Sequence, residues 1–212
     1  KVVDIDYKTF EGSSSLVEIS LPQKLQFIGS YAFNGCSSLE KINIPSTVKD
    51  ILKKAFSKCK SLKTIDIPLS IREISDYTFS ECISLKQIVI PYFVNKIGTY
   101  AFHKCSSIEK VSFSSKSQMN KIDTHAFSEC QSLIEFSIPQ NVRIIGDYCF
   151  SGCTSLEKIT IPSSVTNIGI YSFNKCSSLK SILIPSSIKM IKYCTFKKCT
   201  SLSNVFIPSS VL

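Results

Sequence analysis

Phenylalanine keeps one phase along this chain. It recurs at Phe10, Phe33, Phe56, Phe79, Phe102, Phe127, Phe150, Phe173 and Phe196, in steps of 23 residues broken by a single step of 25 after Phe102. Cysteine follows three residues behind at Cys36, Cys59, Cys82, Cys105, Cys130, Cys153, Cys176 and Cys199, with Ser13 in that place in the first unit. Proline falls at Pro22, Pro45, Pro68 and Pro91, then at Pro139, Pro162, Pro185 and Pro208. Nine units of 23 residues plus a two-residue insertion give 209 of the 212 residues. A fixed period of this length is the mark of stacked repeats, in which a unit that cannot bury its apolar face alone buries it against its neighbours.

One unit shows how a coil is built. Ile182 and Ile184 alternate with Leu183, as a half-buried strand requires. Pro185 has no N–H to give to a ladder and marks where the strand leaves its sheet. The run Pro162-Ser163-Ser164 reads as a turn. Val165 and Ile168 then point inward before Tyr171-Ser172-Phe173. No helix of ten residues fits between these landmarks, so the return path is short extended pieces, turns and at most a single helical turn. In-register strands joined by such a return must be parallel, because a parallel crossover needs a dozen or more residues. The expectation is one solenoid over residues 1–212 with nine strands in a single parallel sheet. Residues 114–121 are expected to bulge outside that sheet while the strands at 108–113 and 133–138 stay in line.

The run from Cys153 through Leu156, Ile159, Ile161, Pro162, Val165, Ile168, Gly169 and Phe173 to Cys176 resembles the BspA-like leucine-rich repeat. The resemblance extends over essentially the whole chain. It implies a right-handed leucine-rich-repeat coil with a parallel β-sheet on its concave face and short strands or turns on the convex side. It also implies kinship with cell-surface and secreted proteins of host-associated bacteria and parasitic protists, implicated in adhesion to host cells and matrix proteins. Three departures stand out. The glycine column of Gly29, Gly98, Gly146 and Gly169 holds Leu52, Ser75, Asp123 and Lys192 elsewhere. The fifth unit lacks its proline and carries the insertion. Neither end shows a polar capping sequence, which reads as a segment of a longer array.

Composition excludes several classes. With 43% hydrophobic and 19% charged residues the chain is no disordered polyelectrolyte. No apolar run reaches the roughly 18 residues of a membrane span. No basic stretch followed by an apolar core opens the chain, so it reads as a processed or excised piece. The net charge of +9 is spread around the coils, for example at Lys58, Lys104, Lys175 and Lys198, which favours a solvated basic surface over a nucleic-acid site. No Asn-x-Ser/Thr sequon occurs.

Ten cysteines invite a disulfide reading. Cysteines in one column project in parallel, with Cβ atoms about 4.8 Å apart, whereas a disulfide needs about 3.8 Å and converging side chains. The column is therefore expected to be a ladder of free, buried thiols bonded to nearby carbonyls. Cys149 falls in the small-residue column of Ala32 and Ala126 and reads as core; Cys194 falls in the column of Tyr148 and Tyr171 and reads as exposed. Cys149-x₃-Cys153 is half of a metal motif without a second half. His103 and His125, on successive coils near Cys105, match no recurring catalytic pattern, and His125 replaces a column tyrosine. No cofactor fingerprint is present, and the chain reads as a non-enzyme with no catalytic, cofactor or metal residues.

On the strand face the outward column runs Ser20, Asn43, Asp66, Val89, Ser112, Ser137, Thr160, Leu183 and Phe206. Its C-terminal end turns apolar, and Thr160, Ser181, Leu183, Asn204 and Phe206 are the candidate partner-binding residues. Three functions compete: an adhesion module that binds a protein or glycan through its solenoid face, an intracellular scaffold using the same face, and a structural spacer.

Overall fold

Each 23-residue unit closes one coil of a stack, and the computed structural model describes residues 3–114 and 116–211 of it. Sixteen strands, numbered β1–β16 in chain order, lie on two faces, with no helix among the described residues. The first face carries β3 (Lys41–Ile42), β5 (Thr64–Ile65), β7 (Gln87–Ile90), β9 (Lys110–Phe113), β11 (Glu135–Ser137), β13 (Lys158–Thr160), β15 (Ser181–Leu183) and β16 (Asn204–Phe206). The second carries β1 (Asp4–Ile5), β2 (Phe27–Ile28), β4 (Asp50–Ile51), β6 (Glu73–Ile74), β8 (Lys96–Ile97), β10 (Lys121–Ile122), β12 (Ile144–Ile145) and β14 (Asn167–Ile168). Every pairing is parallel and one repeat apart, as in Gln87↔Lys110 on the first face and Lys121↔Ile144 on the second. Within β7 the side chains alternate outward and inward, so Ile88 and Ile90 enter the core while Gln87 and Val89 face solvent.

The stack of parallel coils is as expected; the single sheet is not. The first face consists of four two-stranded sheets, β3–β5, β7–β9, β11–β13 and β15–β16. Residues 19–21 of the first unit form no strand. The expected continuity between 108–113 and 133–138 is also absent, because β9 and β11 do not pair. Strands of two to four residues contribute only a bond or two each, so the stack does not depend on their joining into one sheet. The second face is more continuous: β6, β8, β10, β12 and β14 form a five-stranded sheet, and β1, β2 and β4 a three-stranded one.

What holds successive coils is the turn segment around each phenylalanine. In residues 31–36 the amides of Ala32, Asn34 and Cys36 donate back to Gly29, Tyr31 and Phe33, while those of Tyr31, Phe33 and Gly35 donate to Lys53, Ala55 and Ser57 of the next coil. Every second N–H thus leaves its own coil, which is why no helix forms there. The path needs the left-handed region twice per coil, at Tyr31 (φ 61°) and Gly35 (φ 78°), then at Lys54 (φ 58°) and Lys58 (φ 61°). A non-glycine residue there costs roughly 1 kcal/mol, which the inter-coil bonds offset.

Inside this turn the phenylalanine rings stack from Phe10 to Phe196 with centroids 5.1–5.8 Å apart. Beside them each column thiol donates to the carbonyl of the phenylalanine one coil back, from Cys36 to Phe10 O (3.1 Å) through Cys153 to Phe127 O (3.2 Å) to Cys199 and Phe173 O (3.0 Å). All ten cysteines are free thiols in this structure, with Cys149 buried and Cys194 half-buried. Burial pushes the Cys36 thiol up to about 11 and the Cys105 thiol up to about 12, so these two stay protonated, whereas the half-buried Cys199 is lowered by its neighbour Cys176.

The insertion is confined to one corner. Phe102 and Phe127 stack at 5.2 Å across it, Cys130 still reaches Phe102 O at 3.2 Å, and Lys96 still pairs with Lys121. The bulge is shorter than the expected 114–121. Met119 is fully buried in the core position held by Val94 and Val142 in neighbouring coils, and Lys121 already lies in β10. The extra residues are taken up within 114–118, of which Ser115 lies outside the described residues.

Replacing Cys153 by Ser shortens the donor and puts a more polar group into a closed core; we expect a loss of roughly 1–3 kcal/mol, measured by urea unfolding. Thiol titration without reductant should return ten thiols after denaturation and few in the native state. Recovery of several disulfides would contradict the ladder.

Candidate partner-binding face

The outward side chains of the first face are mostly exposed, and some link successive coils. Glu40 pairs with Lys63 at 2.7 Å and Glu157 with Lys180 at 2.6 Å. Exposed pairs of this kind contribute little to stability. The predicted patch sits at the last two strands, where Ser181 pairs with Asn204 and Leu183 with Phe206. Leu183 is 65% and Phe206 62% exposed. Thr160, also exposed, lies one coil earlier at the end of β13, across a gap where β13 and β15 do not pair. Val205 and Ile207 are exposed too, although the equivalent Ile182 and Ile184 are buried. The patch therefore continues through Val205 and Ile207 of the last described coil.

A second feature lies mid-chain. Between β9 and β11 opens a cleft of about 470 Å³, floored by Val111 and Ile138 and lined by Lys110, Lys116, Glu135 and Gln140. No backbone hydrogen bond joins β9 to β11 among the described residues. Strand alternation therefore leaves the backbone edges of Val111 and Phe113 facing those of Glu135 and Ser137 without mutual bonds. Next to the cleft, Gln118 donates its backbone N–H to Tyr92 O at 3.0 Å. Around Tyr92 stand Leu69 (68% exposed), Val89 (60%) and Phe93 (37%).

The strand pattern alone did not single out Leu69, Tyr92 and Phe93. A comparison by column finds them. Leu69 and Tyr92 occupy the place of Ser46, Ser163, Ser186 and Ser209. Phe93 occupies the place of Thr47, Ser164 and Ser210, whose hydroxyls donate to Leu25 O (2.6 Å), Val142 O (2.8 Å) and Ile188 O (3.1 Å) of the preceding coil.

The tyrosine column forms an outer ladder. Tyr77, Tyr100, His125, Tyr148 and Tyr171 stack face to face at 4.4–4.8 Å. Lys54 fills the gap below, its Nζ 5.1 Å from the Tyr31 ring and 5.0 Å from that of Tyr77. The buried Ser128 hydroxyl donates to His125 O at 3.0 Å and lies 2.8 Å from His103 Nδ1. Cys105 donates its thiol proton to Phe79 O at 3.1 Å. Cys105 and His103 therefore serve separate structural bonds and do not form a nucleophile–base pair. Burial holds both histidines below their ordinary value, aided by Lys104 at His103 and by His103 at His125.

Parallel coils with a Leu-x-x-Ile-x-Ile strand on one face define a leucine-rich-repeat solenoid, a class whose extended surfaces serve as interaction scaffolds. The BspA type leucine rich repeat region matches in six copies over residues 3–134 and 110–212, and the chain belongs to that family. It is similar to the leucine rich repeat protein of T. pallidum, at 32% identity over 84% of this chain and 72% of that one, with a TM-score of 0.62. A leucine-rich repeat protein from Bacteroides ovatus is 28% identical over the whole of this chain and 78% of its own, with a TM-score of 0.56. The pneumococcal vaccine antigen PcpA shares the fold at 22% identity over 98% of this chain and 61% of that one, with a TM-score of 0.64. Comparison with curated proteins gave no match. No helix among the described residues is long and apolar enough to cross a membrane.

The histidine pair predicts a pH response. The folded values lie below the ordinary value near 6.5, so the unfolded chain binds more protons as the pH falls. The stability contribution is present above about pH 6.5 and is lost as the pH drops through the folded values. Between about pH 7.5 and about pH 5, the parent should lose more melting temperature than a variant carrying His103→Gln and His125→Tyr. Equal losses would contradict this.

Proposed function

We propose that this protein is a non-catalytic adhesion module, displayed on a cell surface or secreted, that binds a host-cell or matrix protein or glycan through its strand face. The observation that supports this reading most directly is the division of labour within each strand. Inward positions keep to Ile, Val and Phe, while outward positions pass through Asp66, Val89, Thr160 and Leu183, all exposed, and the half-buried Ser112, chemically different from coil to coil. A fold that closes its core with one set of side chains leaves the other free to specify a partner. The thiol ladder fits an oxidising exterior as well as a reducing interior, because its sulfurs are mostly buried and bonded to carbonyls. For the same reason an intracellular scaffold remains the alternative.

Within this reading, Leu183 and Phe206, with Thr160, Ser181 and Asn204 around them, form one candidate contact. Antibody labelling of intact, unpermeabilised cells producing the full-length protein should mark the surface; labelling only after permeabilisation would favour the scaffold. Leu183→Asp combined with Phe206→Ser should reduce adhesion to cells or matrix at least severalfold without unfolding the chain. Unchanged adhesion would remove this patch from the site.

A further inference from the structure

We propose that Leu69, Val89, Tyr92 and Phe93, together with the cleft between β9 and β11, form a docking site for an extended acidic segment of a partner protein, anchored by an apolar side chain. This deepens the interaction-module reading and rests on it. The repeat itself does not require these side chains, although the Tyr92 hydroxyl accepts a 3.4 Å hydrogen bond from Gln118 Nε2 and its ring packs edge-on against Phe93. Other coils place Ser or Gln at the positions of Leu69 and Tyr92, and most of them place at Phe93 a hydroxyl that bonds the neighbouring coil. Their exposure is not that of an open end either. Ile67, Ile71, Ile90 and Val94 beneath them are buried, and described coils continue on both sides.

The surrounding charge selects the occupant. The Arg72 guanidinium lies over the Phe93 ring, 4.2 Å from its centroid. A guanidinium resting on a ring face keeps N–H donors free for a carboxylate, which it can bind in a two-pronged fork. Lys49, Arg72, Lys110 and Lys116 are exposed, and none makes an ion pair among the described residues. Around the apolar side chains the exposed acids Asp50, Asp66 and Glu73 stand near Lys49 and Arg72, and Glu109 adjoins Lys110; the cleft lining itself holds Lys110 and Lys116 against Glu135 alone, so cations prevail there. In the cleft the unbonded edges of β9 and β11 offer backbone donors and acceptors to an incoming extended chain.

Other occupants fit less well. A second copy would bring two cationic rims together in a chain already carrying +9. A sugar or a nucleobase needs a free ring face, whereas Phe93 has Arg72 over it and Tyr92 against it at 4.7 Å and an interplanar angle of 76°.

The test uses a fluorescein-labelled heptapeptide with Phe and Leu among Asp and Glu, a control with the acids replaced by Lys, and a second control with Phe and Leu replaced by Ser. Fluorescence polarisation should show saturable binding of the acidic apolar peptide, weakening with salt, and at least tenfold weaker binding of both controls. The variant Leu69→Ser, Tyr92→Ser, Phe93→Ser carries the residues the repeat itself uses there and should keep its melting temperature within a few degrees. It should bind the peptide at least tenfold more weakly, as should Arg72→Glu. No binding by the parent, equal binding by the variants, or equal binding of either control would overturn the proposal. Loss of heparin or single-stranded DNA binding in the variants, with the peptide unaffected, would assign the surface to a polyanion instead. Adhesion of the parent to cells or matrix, measured alongside, tests the broader reading separately: adhesion without peptide binding sinks the docking site alone, and peptide binding without adhesion sinks the adhesion reading alone.

Discussion

The carbonyl of each column phenylalanine joins two coils, and the rest of the stack depends on it. Phe33 O accepts the Cys36 amide at 3.1 Å within its own coil and the Cys59 thiol at 3.2 Å from the next. A buried carbonyl has two lone pairs and no water to fill the second. Sulfur can supply the donor from inside a close-packed core because it is large and weakly polar, whereas a serine hydroxyl there would be shorter and more costly to bury. The Phe ring fills the space above its own carbonyl and stacks on its equivalents, so spacing between coils is set by rings and hydrogen bonds together. Left-handed backbone at Tyr31, Lys54 and Tyr77 follows from the same turn, and aromatic stacking with Lys54 in the gap covers the outside of that strained column.

Surface chemistry is free only where this scaffold is already satisfied. At Thr47, Ser164 and Ser210 the hydroxyl is part of the inter-coil bonding, so a coil that holds Phe93 there gives up a bond for an exposed ring. The first face differs, because its strands carry little of the stacking and its outward residues bond chiefly in exposed ion pairs. Variation along that face from Asp66 through Val89 to Leu183 therefore costs the fold little.

How much of this is legible in the sequence depends on whether side chains or backbone carry the signal. Phe, Cys and Pro repeat visibly because each fills the same position in nearly every coil, Ser13 and the proline-free fifth unit excepted, and Cys149 reads as core because its column is otherwise small. The second ladder is harder to see: a two-residue strand such as Lys121–Ile122 has one inward side chain and no alternation to detect. The breaks in the first face are invisible, since β9 and β11 have the same inward pattern as strands that do pair. Leu183 and Phe206 stand out as apolar residues in an outward strand column, and the structure exposes both. Leu69, Tyr92 and Phe93 lie past the proline, where turn residues look unconstrained until they are compared with the serines of other coils.

The two extra residues show which ladder is weakest. A 25-residue step could have been accommodated on any side of the coil. The Phe stack, the Cys130 thiol bond and the β8–β10 pairing all cross it intact, and Met119 returns to the core column fully buried. Each of these ladders couples a buried side chain to an inter-coil hydrogen bond, so displacing one loses both. The exit of β9 carries only short backbone pairing over an exposed surface, and the insertion collects there. The cleft beside β11 is the result, placed by the same difference in cohesion that leaves this face free to vary.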